Sequence, residues 1–220
     1  MKVVLYGASG MVGQGVLREC LLDANVESVV AISRSATGKQ HPKFIELVLP
    51  DPGNLSSVEE RLRGYDTCFF CVGVSSAGMS EADYRRVTYD LTLRVARTLA
   101  RHNPEMTFVY ISAMGADSTT RGRVMWARVR GETENALFAL PFKGVYALRP
   151  GLIQPLHGIT SRTAAYRFFY AVLAPLIPLV LRLFPNQATT TERLGRAMLQ
   201  VAKSGAPKQV LETRDFNALS

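Results

Sequence analysis

Short apolar runs recur along the chain. Each is followed by a glycine-rich or polar stretch and then by apolar residues at helical spacing. Runs at 3–6, 26–32, 44–49, 66–72, 106–111 and 143–148 predict six strands, and 208–212 predicts a seventh. The segment 66–72 is nearly all apolar, which suits a central strand covered on both faces. Helical periodicity fills 11–22, 81–102 and 124–139, and in the second of these Tyr84, Val87, Leu91, Val95 and Leu99 recur on one face. Pro104 closes that helix, and His102 before it suits a partner for the helix dipole. Pro50-Asp51-Pro52-Gly53 stops the third strand, and Asn54 or Ser56 can cap a short helix ending near Leu62. Thr189-Thr190-Thr191-Glu192 caps a last helix over 193–203. Strands alternating with crossovers of helix length predict an α/β protein with a doubly wound parallel sheet. Residues 1–155 form its ligand-binding core, and 156–220 add a small C-terminal helical cap plus the final strand within the same domain.

One segment breaks the pattern. The apolar run between Arg167 and Arg182 is 14 residues long and holds Pro175 and Pro178. A membrane span needs about 18 or more. Three readings stay open for 164–184: a roof over an apolar substrate pocket, an oligomer interface, or a surface lying on a membrane with its arginines at the headgroups.

Composition narrows the class. The chain has 220 residues, 47% apolar and 20% charged, which fits one ordinary globular domain. The net charge is +8, with arginine far ahead of lysine. The arginines are scattered, with no basic run interleaved by aromatics, so nucleic acid is not an expected partner. Cys68 and Cys71 sit three apart on one strand and point to opposite faces, which argues against a redox pair. Both read as core residues, with Cys71 at the ligand-facing end. Met1-Lys2 leads straight into a strand with no separate leader pattern, so the cytoplasm is the expected location. No metal site is expected.

The candidate chemistry begins at the first turn. Gly7-Ala8-Ser9-Gly10-Met11-Val12-Gly13 follows a strand and opens a helix. Gly7 permits the turn, Gly10 lets a pyrophosphate approach the backbone, and Gly13 lets helix pack on strand. The N–H groups of the helix start and the positive end of its dipole then face the phosphates, and Ser9 can add a hydroxyl. Ser33-Arg34-Ser35 ends the second strand, with no Asp or Glu between Glu27 and Glu46. An arginine there suits a 2′-phosphate, so NADP is favoured over NAD. Lys39 is a second phosphate contact or a solvated loop lysine. Asp51 meets the adenine amino group or is a turn aspartate. Cys71, Val72, Gly73 and Val74 run beneath the cofactor, with Ser75 and Ser76 as substrate contacts or turn formers. Arg149-Pro150-Gly151-Leu152 is another strand-end loop at the ligand edge.

Together with Ser112 on the fifth strand and the helix after it, these residues resemble the short-chain dehydrogenase/reductase superfamily. The resemblance is to its atypical and extended branch, whose members are NAD(P)-binding or NAD-dependent epimerase/dehydratase proteins, and it covers residues 1–155 well. Val72-Gly73-Val74-Ser75 followed by Tyr89-Asp90 is similar to the Tat-interacting oxidoreductase-like group. The resemblance implies a Rossmann fold, hydride transfer on a small-molecule substrate, and a homodimer through the helices at 81–102 and 124–139. It also implies a serine followed by Tyr-x-x-x-Lys, the tyrosine moving the proton and the lysine holding the nicotinamide ribose. Ser112 matches the serine, but Trp126 and Arg130 stand in the Tyr and Lys positions.

An indole N–H donates a hydrogen bond but cannot cycle a proton near neutral pH, and an arginine stays charged. Trp126 therefore stacks on a ligand or fills the old site. Replacement donors would come from His157, Ser75, Ser76, Cys71 or a water held by Ser112, and histidine is the residue type most suited to proton exchange near neutral pH. Three functions remain open: an NADP-dependent oxidoreductase on an apolar carbonyl compound, a dinucleotide-binding regulatory or interaction protein with impaired catalysis, and an epimerase or isomerase.

Overall fold

The computed structural model describes residues 1–160 and 183–220. Seven parallel strands form one sheet in the order β3-β2-β1-β4-β5-β6-β9. They are β1 (Lys2–Tyr6), β2 (Ser28–Ser33), β3 (Phe44–Val48), β4 (Thr67–Phe70), β5 (Thr107–Ile111), β6 (Gly144–Arg149) and β9 (Val210–Glu212). The chain builds outward from β1 to β3, then returns to lay β4 on the other side of β1, so the order reverses at the C-terminal ends of β1 and β4.

Alternate residues of each central strand feed two cores. Val3, Leu5, Val29, Ala31, Phe69 and Ile111 pack with α1 (Met11–Leu22) and the helix Thr191–Ser204. Val4, Tyr6, Val30, Ile32, Phe70 and Tyr110 pack with the helices at Leu91–His102 and Met125–Phe138. Both faces are covered, which is why these strands read as unbroken apolar runs. Cys68 and Cys71 fall in opposite cores, as their spacing requires.

The long helix at 81–102 forms with one interruption. It runs as α2 (Glu81–Arg85), a π turn (Arg86–Asp90) and α3 (Leu91–His102). Ser80 caps it, its hydroxyl accepting from the Asp83 N–H at 3.1 Å. The extra residue of a π turn rotates the helix face. Buried positions step from Tyr84 to Thr88 and Thr92 before resuming at Val95, Ala96 and Leu99, leaving Val87 and Leu91 only half-buried. After it come β5 and α4 (Met125–Phe138).

The region after β6 departs most from expectation. Leu152–Gln154 (β7) and Ala188–Thr190 (β8) pair as a small parallel sheet that the sequence pattern did not disclose. Each holds only three residues, below the length at which alternation is readable. The helix expected over 193–203 is α5 (Thr191–Ser204), capped by Thr190, whose hydroxyl accepts from the Arg193 N–H at 3.1 Å. The chain ends in a short helix, α6 (Thr213–Asn217), where only a turn was expected. The helix expected before Leu62 is a single 3-10 turn, Glu59–Leu62. The apolar segment expected as a cap lies, as far as residue 182, outside the described residues. Among the described residues no helix is long and apolar enough to cross a membrane.

Candidate dinucleotide and active site

The turn between β1 and α1 stands where the strand order reverses. Gly7 has φ +82°, and a Cβ there would lie 2.7 Å from the Cys71 carbonyl carbon. A Cβ on Gly13 would lie 2.0 Å from the Gly7 carbonyl oxygen, so helix and strand meet without room for a side chain. The Gly10 N–H donates to the Gly7 carbonyl at 2.9 Å and closes the turn. Gly10 is the N-cap of α1 and offers no side chain, and the first helical turn holds no acidic residue. The N–H groups of Met11, Val12 and Gly13 thus have no intrahelical acceptor and no capping oxygen. This is a preformed anion cradle. The half-buried Ser9 lies in it, and its carbonyl accepts from the Gln14 side chain at 3.2 Å.

On one side of the cradle, β2 ends at Ser33. The Ser33 hydroxyl donates to the Ser35 carbonyl at 2.8 Å, and Arg34 is exposed, with no ion pair to a described residue. Lys39 is also exposed. Asp51 takes the turn-aspartate reading: it pairs with both terminal nitrogens of Arg94, at 2.9 and 3.2 Å, and accepts from the Gly53 N–H at 2.9 Å. The Arg94 hydrogen bonds, followed by the Gly53 N–H, hold its carboxyl below the usual range. The ion pair is half exposed, and the carboxylate keeps a lone pair on Oδ2 for a further donor, so the turn contacts and the expected adenine contact are compatible.

On the other side, β4 ends at Phe70. The Cys71 N–H donates to the Tyr6 carbonyl at 3.0 Å, and Val72, Gly73 and Val74 lead outward. Cys71 is buried, and burial pushes its thiol well up, so it is no proton donor for neutral-pH chemistry.

Ser112 follows β5. It is 4% exposed, and its Oγ is buried without a hydrogen-bond partner among the described residues. The hydroxyl of Tyr110, two residues earlier, makes no hydrogen bond of good geometry but lies beside the Arg130 guanidinium; burial raises its pKa to about 12, with Arg130 opposing the rise. Across from them, on α4, Arg130 is buried: its Nε donates to the Tyr84 hydroxyl at 3.0 Å and its Nη1 to the Ile111 carbonyl at 3.3 Å. Its Nη2 lies 3.6 Å from where a Cβ on Gly73 would stand. Trp126, one turn earlier, is half-buried, and its ring tip lies 3.5 Å from where a Cβ on Gly115 would stand. Ser112, Arg130 and Gly73 are thus brought to one region, at the ends of β4 and β5.

Two charged groups near this region have partners of their own. Arg149 does not serve the ligand edge. It is buried, its guanidinium pairs with Glu134 (Nε to Oε1 at 3.0 Å), and it reaches Glu212 at 3.4 Å. The sequence presents both partners only as scattered charges. His157 is also engaged elsewhere: its Nε2 lies 2.5 Å from Glu192 on α5. In the strand-end loop itself, the Pro150 carbonyl accepts from the Met114 N–H at 3.0 Å, Gly151 donates to the Thr213 hydroxyl at 3.0 Å, and Leu152 donates to the Gln187 carbonyl at 2.9 Å. In the sequence Tyr84 is one apolar position on a helix face. Its hydroxyl is the signal of a polar role, since it needs a partner once buried.

Fold and cradle together define a Rossmann-type protein built to seat a dinucleotide at the β1–β4 switch point. Residues 3–122 match the model of the NAD dependent epimerase/dehydratase family, and the chain belongs to that family. Protein fmp52, mitochondrial, of Emericella nidulans is 31% identical over 159 residues, 69% of this chain and 66% of that protein. The chain thus spans just under two thirds of that relative. Protein FMP52, mitochondrial, of Meyerozyma guilliermondii is 24% identical over 223 residues, 96% of this chain and 91% of that one. Among solved structures, the Bordetella bronchiseptica enzyme WbmF in complex with NAD+ superposes with a TM-score of 0.69 at 16% identity, over 99% of this chain and 76% of that one. A short chain dehydrogenase family protein from Francisella tularensis gives 0.67 at 11% identity, over 96% and 95%. At these identities the structures show the shared fold. The relatives' names overturn the cytoplasmic expectation, since they are labelled mitochondrial. The expectation had rested on the absence of a recognisable leader pattern.

Proposed function

We propose that this chain binds NADP(H) and is an oxidoreductase acting on a small apolar carbonyl or hydroxyl compound. The observation that carries the reading is the cradle: a positive-φ Gly7, Gly13 pressed against it, and an uncapped α1 at the switch point. The pyrophosphate would lie on the N–H groups of Met11, Val12 and Gly13. Arg34, exposed and unpaired among the described residues, would take the 2′-phosphate by bidentate hydrogen bonds. Val72, Gly73, Val74 and the loop at Pro150, Gly151 and Leu152 would flank the nicotinamide half, and Arg130 would hold its ribose.

When bound, the nicotinamide supplies the hydride. The chain's own residues must orient the carbonyl and exclude water. Ser112 can donate to a substrate oxygen, because its hydroxyl has no other described partner. Val74 and Met114, on the loops after β4 and β5, are large apolar side chains left 42% and 46% exposed, which favours an apolar substrate. A second reading has one observation in its favour. Trp126 and Arg130 offer no group that exchanges protons near neutral pH, which suits a dinucleotide-binding regulatory protein.

Titration with NADPH and NADH, followed by the emission of Trp126, the chain's single tryptophan, tests the proposal. A preference for NADPH that disappears in Arg34→Ala is expected. Binding of neither nucleotide would overturn it. NADPH consumption with a panel of aliphatic and aryl ketones separates the two readings.

A further inference from the structure

The geometry points to Tyr84 as a positioning residue: its hydroxyl fixes the Arg130 guanidinium so that the Nη2 edge faces the β4 loop and receives the nicotinamide-side ribose of a bound dinucleotide. The inference rests on the dinucleotide reading above. A guanidinium is planar, so fixing two of its nitrogens orients the third. Here Nε is engaged by Tyr84 at 3.0 Å and Nη1 by the Ile111 carbonyl at 3.3 Å. Nη2 makes no hydrogen bond of good geometry to a described residue, although the Tyr110 hydroxyl also lies beside this guanidinium. Nη2 lies beside Gly73, where no side chain intervenes.

Sheet order determines which half of the ligand this edge meets. Arg34 follows β2 on one side of β1, and Gly73 follows β4 on the other. A dinucleotide with its pyrophosphate on α1 extends one half to each side, so the β4 side takes the half away from Arg34. The two N–H groups on Nη2 suit the neighbouring hydroxyls of a ribose, but only if the guanidinium is held in one orientation. An unsupported arginine loses much rotamer freedom on fixing a ligand. Tyr84 is itself 1% exposed and has no route to a substrate, so it acts through Arg130.

The test uses the full chain as wild type, Tyr84→Phe, Arg130→Lys and the double variant. Each is titrated with NADPH and with 2′,5′-ADP, which lacks the nicotinamide riboside half. Tyr84→Phe should weaken NADPH about 5- to 10-fold and leave 2′,5′-ADP within about twofold. In the Arg130→Lys background, where no Nε–H reaches Tyr84, the same change should cost little more. Unchanged NADPH affinity in Tyr84→Phe would overturn the inference. So would equal losses for both ligands, the mark of a merely structural role, or an undiminished loss in the Arg130→Lys background. If wild type binds 2′,5′-ADP and NADPH equally well, the assignment of the ribose to Arg130 fails while the cradle stands. If it binds neither, the dinucleotide reading fails and this inference with it.

Discussion

Gly13 stands directly against Gly7: a Cβ on Gly13 would lie 2.0 Å from the Gly7 carbonyl oxygen, whereas one on Gly10 would meet the same oxygen at 3.4 Å. The three glycines of the turn therefore do different work. Gly13 serves the fold, and Gly10 leaves room for what the fold binds.

Gly13→Ala should destabilise the protein by about 2–3 kcal/mol, because backbone on both sides of the contact must shift. Gly10→Ala adopts its native φ of −78° without strain and should change stability by less than about 0.5 kcal/mol. It should nonetheless weaken NADPH, since the added methyl stands at the cradle. Urea unfolding and nucleotide titration of the two variants check both halves. Equal destabilisation by both would contradict this division.

The Glu134–Arg149 pair ties α4 to the end of β6 in a buried setting, with Glu134 fully enclosed. Removing one partner leaves the other charge buried without its counter-ion, which costs about 3–5 kcal/mol. Arg149→Ala should accordingly lower the melting temperature by many degrees, whereas removing the exposed Glu60–Arg63 pair should not move it measurably. Thermal melts followed by circular dichroism decide.

These cases show what the sequence could disclose. The sheet, its central strands and the β1–α1 turn were legible because apolar runs and glycine spacing are local signals. Arg130 could be placed by its helical register four residues after Trp126, but its partner Tyr84 lies 46 positions away and entered only as a helix-face residue. Asp51, Arg149 and His157 were expected near ligand because they follow strands. Their partners Arg94, Glu134 and Glu192 are distant charges whose pairing only the folded chain reveals. The pair β7 and β8 carries too few residues to show a period.

Asp23 joins the end of α1 to α5 through Lys203, at 2.5 Å, and accepts from the Asn25 N–H at 2.8 Å. Burial works to raise its carboxyl, but Lys203 and Asn25 outweigh that and hold it below the usual range. A depressed folded value means the stabilisation is complete above the unfolded pKa of about 3.9 and is lost as pH falls through the folded one. Asp23→Asn should cost about 0.5–1 kcal/mol near pH 7, a figure reduced by solvent screening of the half-open pair. The gap to wild type should close as pH drops below about 4. A gap that widens in acid would mean the carboxylate is not the stabilising form.

By the resemblance read from the sequence, Trp126 stands where the short-chain dehydrogenase/reductase superfamily carries its proton-moving tyrosine, with Arg130 one turn further on. If this chain descends from an enzyme whose site is otherwise intact, restoring both groups should restore proton transfer. Ser112 is buried with no hydrogen-bond partner among the described residues, and Gly115 leaves the space over which the indole lies. A phenol is smaller than an indole, so Trp126→Tyr opens the site and crowds nothing. General acid–base catalysis contributes roughly 10²–10⁴-fold, so the Trp126→Tyr/Arg130→Lys variant should reduce ketones of the panel with NADPH at least about 100-fold faster than wild type. Tyr alone, beside an arginine already held by Tyr84, should gain less, because Lys at 130 can approach the new hydroxyl and lower its pKa. Rates measured under saturating NADPH separate this from any change in nucleotide affinity. A wild type as fast as the double variant would show that another group already moves the proton, and attention would turn to a water held by Ser112.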